Sequence, residues 1–193
     1  TTDGRKSLAE ISGVDFYTVN FIFIVCASKR MLADFLKTGY TEELFWDTIM
    51  DAKYKLFECK EVKGVWGNFV EFWYNIFYSL DIFKLGRLEF ERTKYPDDQK
   101  TYTFGGLTVN PGDTVYSVHI PSCGPLNKEL RMDSYRRAFE FFAKERGESP
   151  LICICHSWLL FEGNREIFPA RLNMIDFMND WDIIHSEETE EFG

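Results

Sequence analysis

Residues 115–142, VYSVHIPSCGPLNKELRMDSYRRAFEFF, constrain this chain more than any other stretch. Val115 to Ile120 is a β-branched and aromatic run. Pro121 ends it, because proline has no backbone N–H to continue a ladder. Ser122, Cys123, Gly124 and Pro125 then make a short polar turn. Beyond it, Tyr135, Ala138, Phe139 and Phe142 recur at helical spacing on one face. Strand, tight turn and helix in that order aim backbone N–H groups and the positive end of a helix dipole at one point, which suits a phosphate. Any strand-to-helix crossover makes the same shape, so a plain structural turn accounts for the stretch equally well.

The rest of the chain decides what surrounds this element. Its 193 residues are 45% hydrophobic and 17% aromatic, enough apolar volume for one packed domain with a helical extension. A net charge of −9 argues against nucleic acid as a partner, since general nucleic-acid binding needs a basic face. The five cysteines (26, 59, 123, 153 and 155) are too few and too irregular for a disulfide framework, so a reduced, cytoplasmic compartment is expected. The longest apolar run, Phe21 to Ala27, is far short of the ~18–20 residues of a membrane span. No signal peptide is expected. Glu187, Glu188, Glu190 and Glu191 are read as a solvated, frayed end.

Residues 1–84 follow a helical period. One helix is expected over residues 15–37, closed by Gly39. Thr41 is a competent N-cap for a second, with Phe45, Ile49, Ala52, Leu56 and Cys59 on one stripe to about Lys60. A third carries Trp66, Phe69, Val70, Trp73, Phe77 and Leu80. Aromatic stripes at this spacing ordinarily face a core, so Trp66, Trp73, Tyr74 and Tyr78 are read as helix packing rather than a ligand wall.

From residue 85 the period becomes two. Residues 85–93, 100–109 and 114–120 have strand character, separated by turns at Tyr95-Pro96-Asp97-Asp98 and Asn110-Pro111-Gly112-Asp113. They predict an antiparallel meander, with a bulge at Gly105-Gly106. The helix after the turn starts either at Asn127 or after Asp133 and Ser134, all competent caps. Leu151 to Leu160 is nearly unbroken apolar sequence, the pattern of a strand buried on both faces. Joined to 114–120 through a helix, it is expected to lie parallel to that strand. A last helix covers about residues 174–184. The class is α+β: a helical N-terminal region, 1–84, then a mixed β-sheet with flanking helices, 85–193.

This order resembles the central and later part of the GNAT (Gcn5-related N-acetyltransferase-like) fold. VHIPSCGPL, SYRRAFEFF, CHSWLL and NMIDFMNDW are similar to the GNAT-like C-terminal domain of a group of bacterial acyltransferases that carry a helical N-terminal domain ahead of it. The resemblance implies an acyl-coenzyme A co-substrate such as acetyl-CoA and a small-molecule acceptor; a homodimer is a further expectation for the chain. It also implies that the turn seats the cofactor's pyrophosphate while pantetheine lies where strands 115–120 and 151–160 splay apart. The expected contacts are backbone N–H groups of Ser122, Cys123, Gly124 and Leu126, with Arg131, Arg136 and Arg137 adding charge. The turn departs from the usual Gln/Arg-x-x-Gly-x-Gly/Ala pattern, having one glycine followed by a proline. Many GNAT enzymes use a late Tyr as general acid, and this chain has no Tyr after Tyr135.

Acyl transfer to an amine needs a polarised thioester carbonyl, a base for the amine's proton and a proton or solvent for the departing thiolate. The candidate bases are His119, Glu89 and His156, and Ser157 is the candidate partner for the thiolate. A histidine needs little tuning for such work near neutral pH. Cys153-x-Cys155 on a flat strand does not close a tetrahedral site as Cys-x-x-Cys turns do, so no metal is expected. Two functional readings stand: a direct acyl-CoA-dependent N-acyltransferase, and a non-catalytic GNAT-like module that binds a ligand or partner.

Overall fold

The computed structural model describes residues 1–186. The acidic stretch Glu187–Glu191 lies outside the described residues.

The chain begins with helices α1 (Thr2–Ser12), α2 (Phe16–Lys37), α3 (Glu42–Ile49) and α4 (Asp51–Lys63). Asp15 caps α2 by accepting from the N–H groups of Tyr17 and Thr18, and Thr41 caps α3 by accepting from Leu44. The second predicted helix is thus two, divided at Met50. Thr48 lies at the end of α3, where its hydroxyl accepts from the backbone N–H of Lys84 at 3.1 Å. That bond ties the helices to the sheet edge.

The third predicted helix is mostly absent. Only a 3-10 turn, Glu71–Tyr74, and the short α5 (Asn75–Tyr78) form. Asn68 donates from its backbone to Tyr17 O at 2.8 Å, and the Asn20 amide donates to Asn68 O. A Cβ on Gly67 would sit 2.3 Å from the Tyr17 carbonyl carbon. Residues 66–70 are therefore laid directly on the backbone of α2, which a helix with side chains all round could not do.

The sheet has four strands in the order β1 (Ile82–Leu85), β2 (Leu88–Lys94), β5 (Thr114–His119) and β6 (Cys153–Ile154). It begins three residues before the expected boundary. β5 and β6 are parallel, as the crossover helix requires. β2 pairs antiparallel with both β1 and β5. The meander expectation is corrected here. Residues 100–109 do not enter the sheet but fold on themselves as a separate hairpin, β3 (Tyr102–Phe104) and β4 (Leu107–Val109). Gly105 and Gly106 both have positive φ, 55° and 82°, so they form a two-residue hairpin loop and not a bulge.

The strand predicted over 151–160 is also much shorter. After Ile154 the chain leaves the sheet and enters a 3-10 turn, Trp158–Leu160. Its apolar residues serve a second cluster, in which Leu160 packs with Ile175, Phe177 and Met178. The remaining helices are α6 (Lys128–Phe141), α7 (Ala143–Arg146), α8 (Asn164–Ile167) and α9 (Asn173–Met178). α6 begins at the first of the two expected starts, with Asn127 as its cap.

The main core includes the face of the sheet on which the register sets Phe83, Leu88, Phe90 and Val118 together. Phe83, Leu88, Phe90 and Val118 are fully buried with Phe35, Ala138 and Phe142. Phe139 is the exception on the predicted face of α6, turning outward under the Arg146 guanidinium. Arg131 and Ser134 take inward positions on that helix.

Candidate functional site

The strand register builds the site. Lys84 pairs with Glu89, and Glu89 pairs with His119, so three neighbouring strands place these residues in one row. The next row contains Glu91 opposite Ser117. Helical-region residues cover this polar face. Trp73 meets the His119 ring edge-on, centroids 4.5 Å apart. His119 Nε2 lies 2.8 Å from Glu91 Oε2, which holds the ring in one orientation.

At the same end of the sheet, β5 loses its second neighbour. Its ladder with β2 continues to His119, whereas its ladder with β6 stops at Ser117 opposite Ile154. The parallel strands part at that point. Pro121 then leads into the turn, where Gly124 has φ 118°. Nothing lies within 4 Å of where a Cβ on Gly124 would stand, so the turn is open on that side.

The turn is braced from beneath by two arginines. Arg87, from the β1–β2 hairpin, donates from Nη2 to Gly124 O at 2.8 Å and from Nε to Pro125 O at 3.1 Å. Its Nη1 is buried without a hydrogen-bond partner. Arg131 donates to Leu126 O and to the carboxylates of Asp176 and Asp180. Together they fix three successive carbonyls inward. α6 follows, and its first-turn N–H groups and dipole point toward the turn.

The sequence profile of a family described as the GNAT-like C-terminal domain matches residues 82–192. The chain belongs to that family. No curated protein matches the sequence. Among solved structures, the chain is similar to an acyltransferase in complex with decanoyl-CoA and teicoplanin, with TM-score 0.77, 19% identity and 92% of this chain covered. An acyltransferase in complex with CoA and 10C-teicoplanin gives 0.77 at 18%, and an acyltransferase mutant in complex with octanoyl-CoA gives 0.73 at 20%, each again covering 92% of this chain. In all three, 51% of the other protein is matched, so this chain spans about half their length. At these identities the likeness establishes the fold.

In this GNAT-like C-terminal domain the expected site residues separate into groups. His119 and Glu89 stand side by side. His156 does not join them; it is exposed on the chain that leaves β6. Ser157 is not on a strand. Its hydroxyl accepts from Leu159 N at 3.2 Å and caps the 3-10 turn. Ser122, Cys123, Gly124 and Leu126 do form the turn, although the Cys123 N–H already donates to Pro121 O at 2.8 Å. Cys123 Sγ lies 3.3 Å from Lys84 Nζ.

The three arginines are placed differently. Arg131 is fully buried and spent on Asp176, Asp180 and Leu126 O, so it is a strut of the turn. Arg136 and Arg137 bind Asp133 on the surface, and Arg136 also binds Glu140. Because α6 starts at Lys128, they stand in its third turn, roughly 12 Å along the axis. Had the helix begun after Ser134, they would flank its first turn. Arg87 and Glu91 were missed. In sequence they read as part of the outward face of a strand, and only the folded contacts show what they meet.

Cys153 lies on β6 and Cys155 just beyond it, both packed against the apolar core. Their apolar surroundings push both thiols up to about 12. Among the described residues, no three His, Cys, Asp or Glu side chains are grouped to hold a metal ion.

Proposed function

We propose that this chain carries the acyl-CoA site of an acyltransferase that moves an acyl group directly to an amine of a small molecule. The observation that carries the proposal is the coincidence, at one end of β5, of a parted ladder, a braced open turn and a histidine oriented by a carboxylate. The pantetheine arm lies along the unpaired edge beyond Ser117, where a strand N–H polarises the thioester carbonyl. The pyrophosphate meets the N–H groups of Ser122, Gly124 and Leu126, with those of Lys128 and Glu129 in the first turn of α6. Cys123 joins them by exchanging its bond to Pro121. The Lys128 side chain supplies the charge first assigned to Arg131, Arg136 and Arg137.

His119 takes the proton from the attacking amine, and Glu91 stabilises the imidazolium that forms. Octanoyl- and decanoyl-CoA in the similar structures support a donor with an acyl chain longer than acetyl. Teicoplanin in one of them supports a small-molecule acceptor. The reduced, cytoplasmic setting is part of the same proposal, supported by five free cysteines.

Calorimetric titration with CoA, acetyl-CoA and decanoyl-CoA tests the site. A donor at about 100 times its dissociation constant should add about 2.7 kcal/mol of stability. Thiol release from decanoyl-CoA in the presence of primary amines tests the reaction. The second reading, a non-catalytic binding module, is favoured by the donors the turn lacks: Pro125 has no N–H, and that of Cys123 is engaged. Binding without thiol release would establish it in place of catalysis.

A further inference from the structure

A cavity of about 320 Å³ opens in the helical region, among α1, α2 and the segment 71–78. Its size is at the small end of the roughly 300–1,000 Å³ of ligand pockets. Part of its lining is aromatic. Phe72, Asn75 and Tyr78 recur every three residues along the short helical segment, so all three turn outward into the cavity. Phe23 of α2 lines it with them. Phe72 is 69% exposed, whereas Tyr74 and Phe77 on the other face of the segment are fully buried in the core. The rest of the lining is polar. Arg5 of α1 lies 3.4 Å from Glu71, each side chain 18% exposed. Asn20 is buried beside them. Its Oδ1 accepts from Arg5 Nε at 2.7 Å while its amide donates to Asn68 O, so both ends of the amide are committed and the guanidinium is held in place. Among the described residues, Arg5 Nη1, Glu71 Oε2, the Asn75 amide and the Tyr78 hydroxyl have no hydrogen-bond partner.

These groups select a ligand class. The two charges cancel: an anion drawn to Arg5 meets Glu71, and a cation drawn to Glu71 meets Arg5. The free capacity is mixed. Arg5 Nη1 donates, Glu71 Oε2 accepts, and the Asn75 amide and Tyr78 hydroxyl do both. A hydroxyl group also does both, so a ring carrying several of them matches this set without breaking the Arg5–Glu71 pair. Bonds to the two charged groups are the stronger ones. The aromatic rings match the other side of such a molecule, because their electron-rich faces suit the C–H groups of a pyranose. We propose that this cavity binds a neutral sugar ring, at a site separate from the acyl-CoA turn. The inference goes beyond the acyl-transfer reading and does not rest on it. The two sites share one wall: Phe72 lines the cavity, and Trp73, the next residue, meets the His119 ring.

Binding of simple glycosides to the full chain, with no CoA present, tests the assignment. Methyl β-D-glucopyranoside and methyl α-D-mannopyranoside are the probes. Ordinary ligand efficiency for so small a molecule places the dissociation constant on the order of 1 mM. Saturation-transfer NMR should show transfer from the protein to the ring C–H protons of at least one glycoside. The backbone amides of Phe72, Asn75 and Tyr78 should shift on titration. Phe72→Ala should weaken binding by about tenfold. Asn75→Ala should weaken it by roughly threefold to tenfold. Both side chains are exposed, so both variants should keep the fold. Phe104→Ala removes a ring of similar exposure, 61%, from the separate hairpin and should leave affinity unchanged. Inorganic phosphate and zwitterionic norleucine at the same concentrations should leave the three amides in place. No transfer to either glycoside overturns the proposal. Wild-type affinity in both Phe72→Ala and Asn75→Ala overturns it, as does an equal loss in Phe104→Ala, which would mark non-specific contact between sugar and exposed rings. Phosphate or norleucine shifting the three amides in preference to the glycosides overturns the ligand class. Calorimetry with CoA decides the acyl-CoA reading separately, whatever the glycosides do.

Discussion

Arg131 Nε donates to Asp180 Oδ2 at 2.8 Å, with the arginine side chain wholly buried between α6 and α9. Its other donors hold Asp176 Oδ2 and Leu126 O. One side chain thus couples the turn, the helix after it and the last helix. Arg131→Ala leaves a partly buried carboxylate unpaired and should cost about 3–5 kcal/mol in urea denaturation. The sign with pH follows from Asp176, whose pKa is held below its ordinary value by the Arg131 hydrogen bond. Its contribution is present above the ordinary carboxylate range and is lost as acid protonates the folded protein. Acid should therefore destabilise wild type more steeply than Arg131→Ala.

His119→Ala should lower kcat/KM for decanoyl-CoA by about 10²–10⁴-fold if His119 is the base. Glu91→Gln keeps the ring's neighbour but not its charge, and should produce a smaller loss in kcat with CoA affinity unchanged. Steady-state kinetics paired with CoA calorimetry separates the two effects. Loss of CoA affinity in Glu91→Gln would place that residue in the cofactor site.

Gly124→Val meets no neighbouring atom, so its cost comes from the backbone. At φ 118° a β-branched residue is strained by roughly 1–3 kcal/mol. The new side chain also projects from the open face of the turn, where the pyrophosphate is proposed to approach. Thermal unfolding should show the modest loss, and calorimetry should show loss of CoA binding beyond it. Unchanged CoA affinity in a folded variant would move the phosphate site elsewhere.

Glu89→Gln should stabilise the fold as pH rises above the ordinary carboxylate range. Burial holds the folded Glu89 pKa well above its ordinary value, whereas the unfolded chain ionises it near that ordinary value. Stability is fully present below that unfolded value and is lost as pH rises toward the raised folded pKa. The neutral amide escapes this loss. Urea midpoints of wild type and variant should converge in acid and separate, with the variant higher, as pH rises.

Cys153 and Cys155 should resist thiol reagents while the protein is folded. Burial pushes both up to about 12 from an ordinary 9, so the thiolate is scarce at mildly alkaline pH. Cys26 is exposed and should react first. The same shift makes stability fall as pH rises from about 9 toward 12. Rapid labelling of Cys153 in the native protein would contradict the burial of its thiol.

The amino-acid sequence by itself determined elements whose cause is local. Pro121 had to end β5, Asn127 could cap α6, and a strand reached through one crossover helix had to lie parallel to its predecessor. Those constraints suffice for an α+β chain with a phosphate-suited turn, and they put His119 at the end of the strand that feeds it.

Contacts between distant residues decided the rest. Gly105-Gly106 permits either a bulge or a hairpin, and pairing chose the hairpin, taking residues 100–109 out of the sheet. The apolar run from Leu151 reads as a long strand, but its hydrophobicity does not say which core receives it; Leu160 went to the cluster under α9. Arg131, Arg136 and Arg137 are alike in sequence, and helix phase together with Asp176 and Asp180 buried the first and left the others on the surface. Glu89 and Glu91 share one face of a strand, and the register sets Glu89 opposite His119, yet the folded side chains give His119 diagonally to Glu91 and leave Glu89 Oε1 without a partner. The physical reason is range: caps and breakers act over a few residues, whereas burial and pairing depend on what the fold brings from far along the chain.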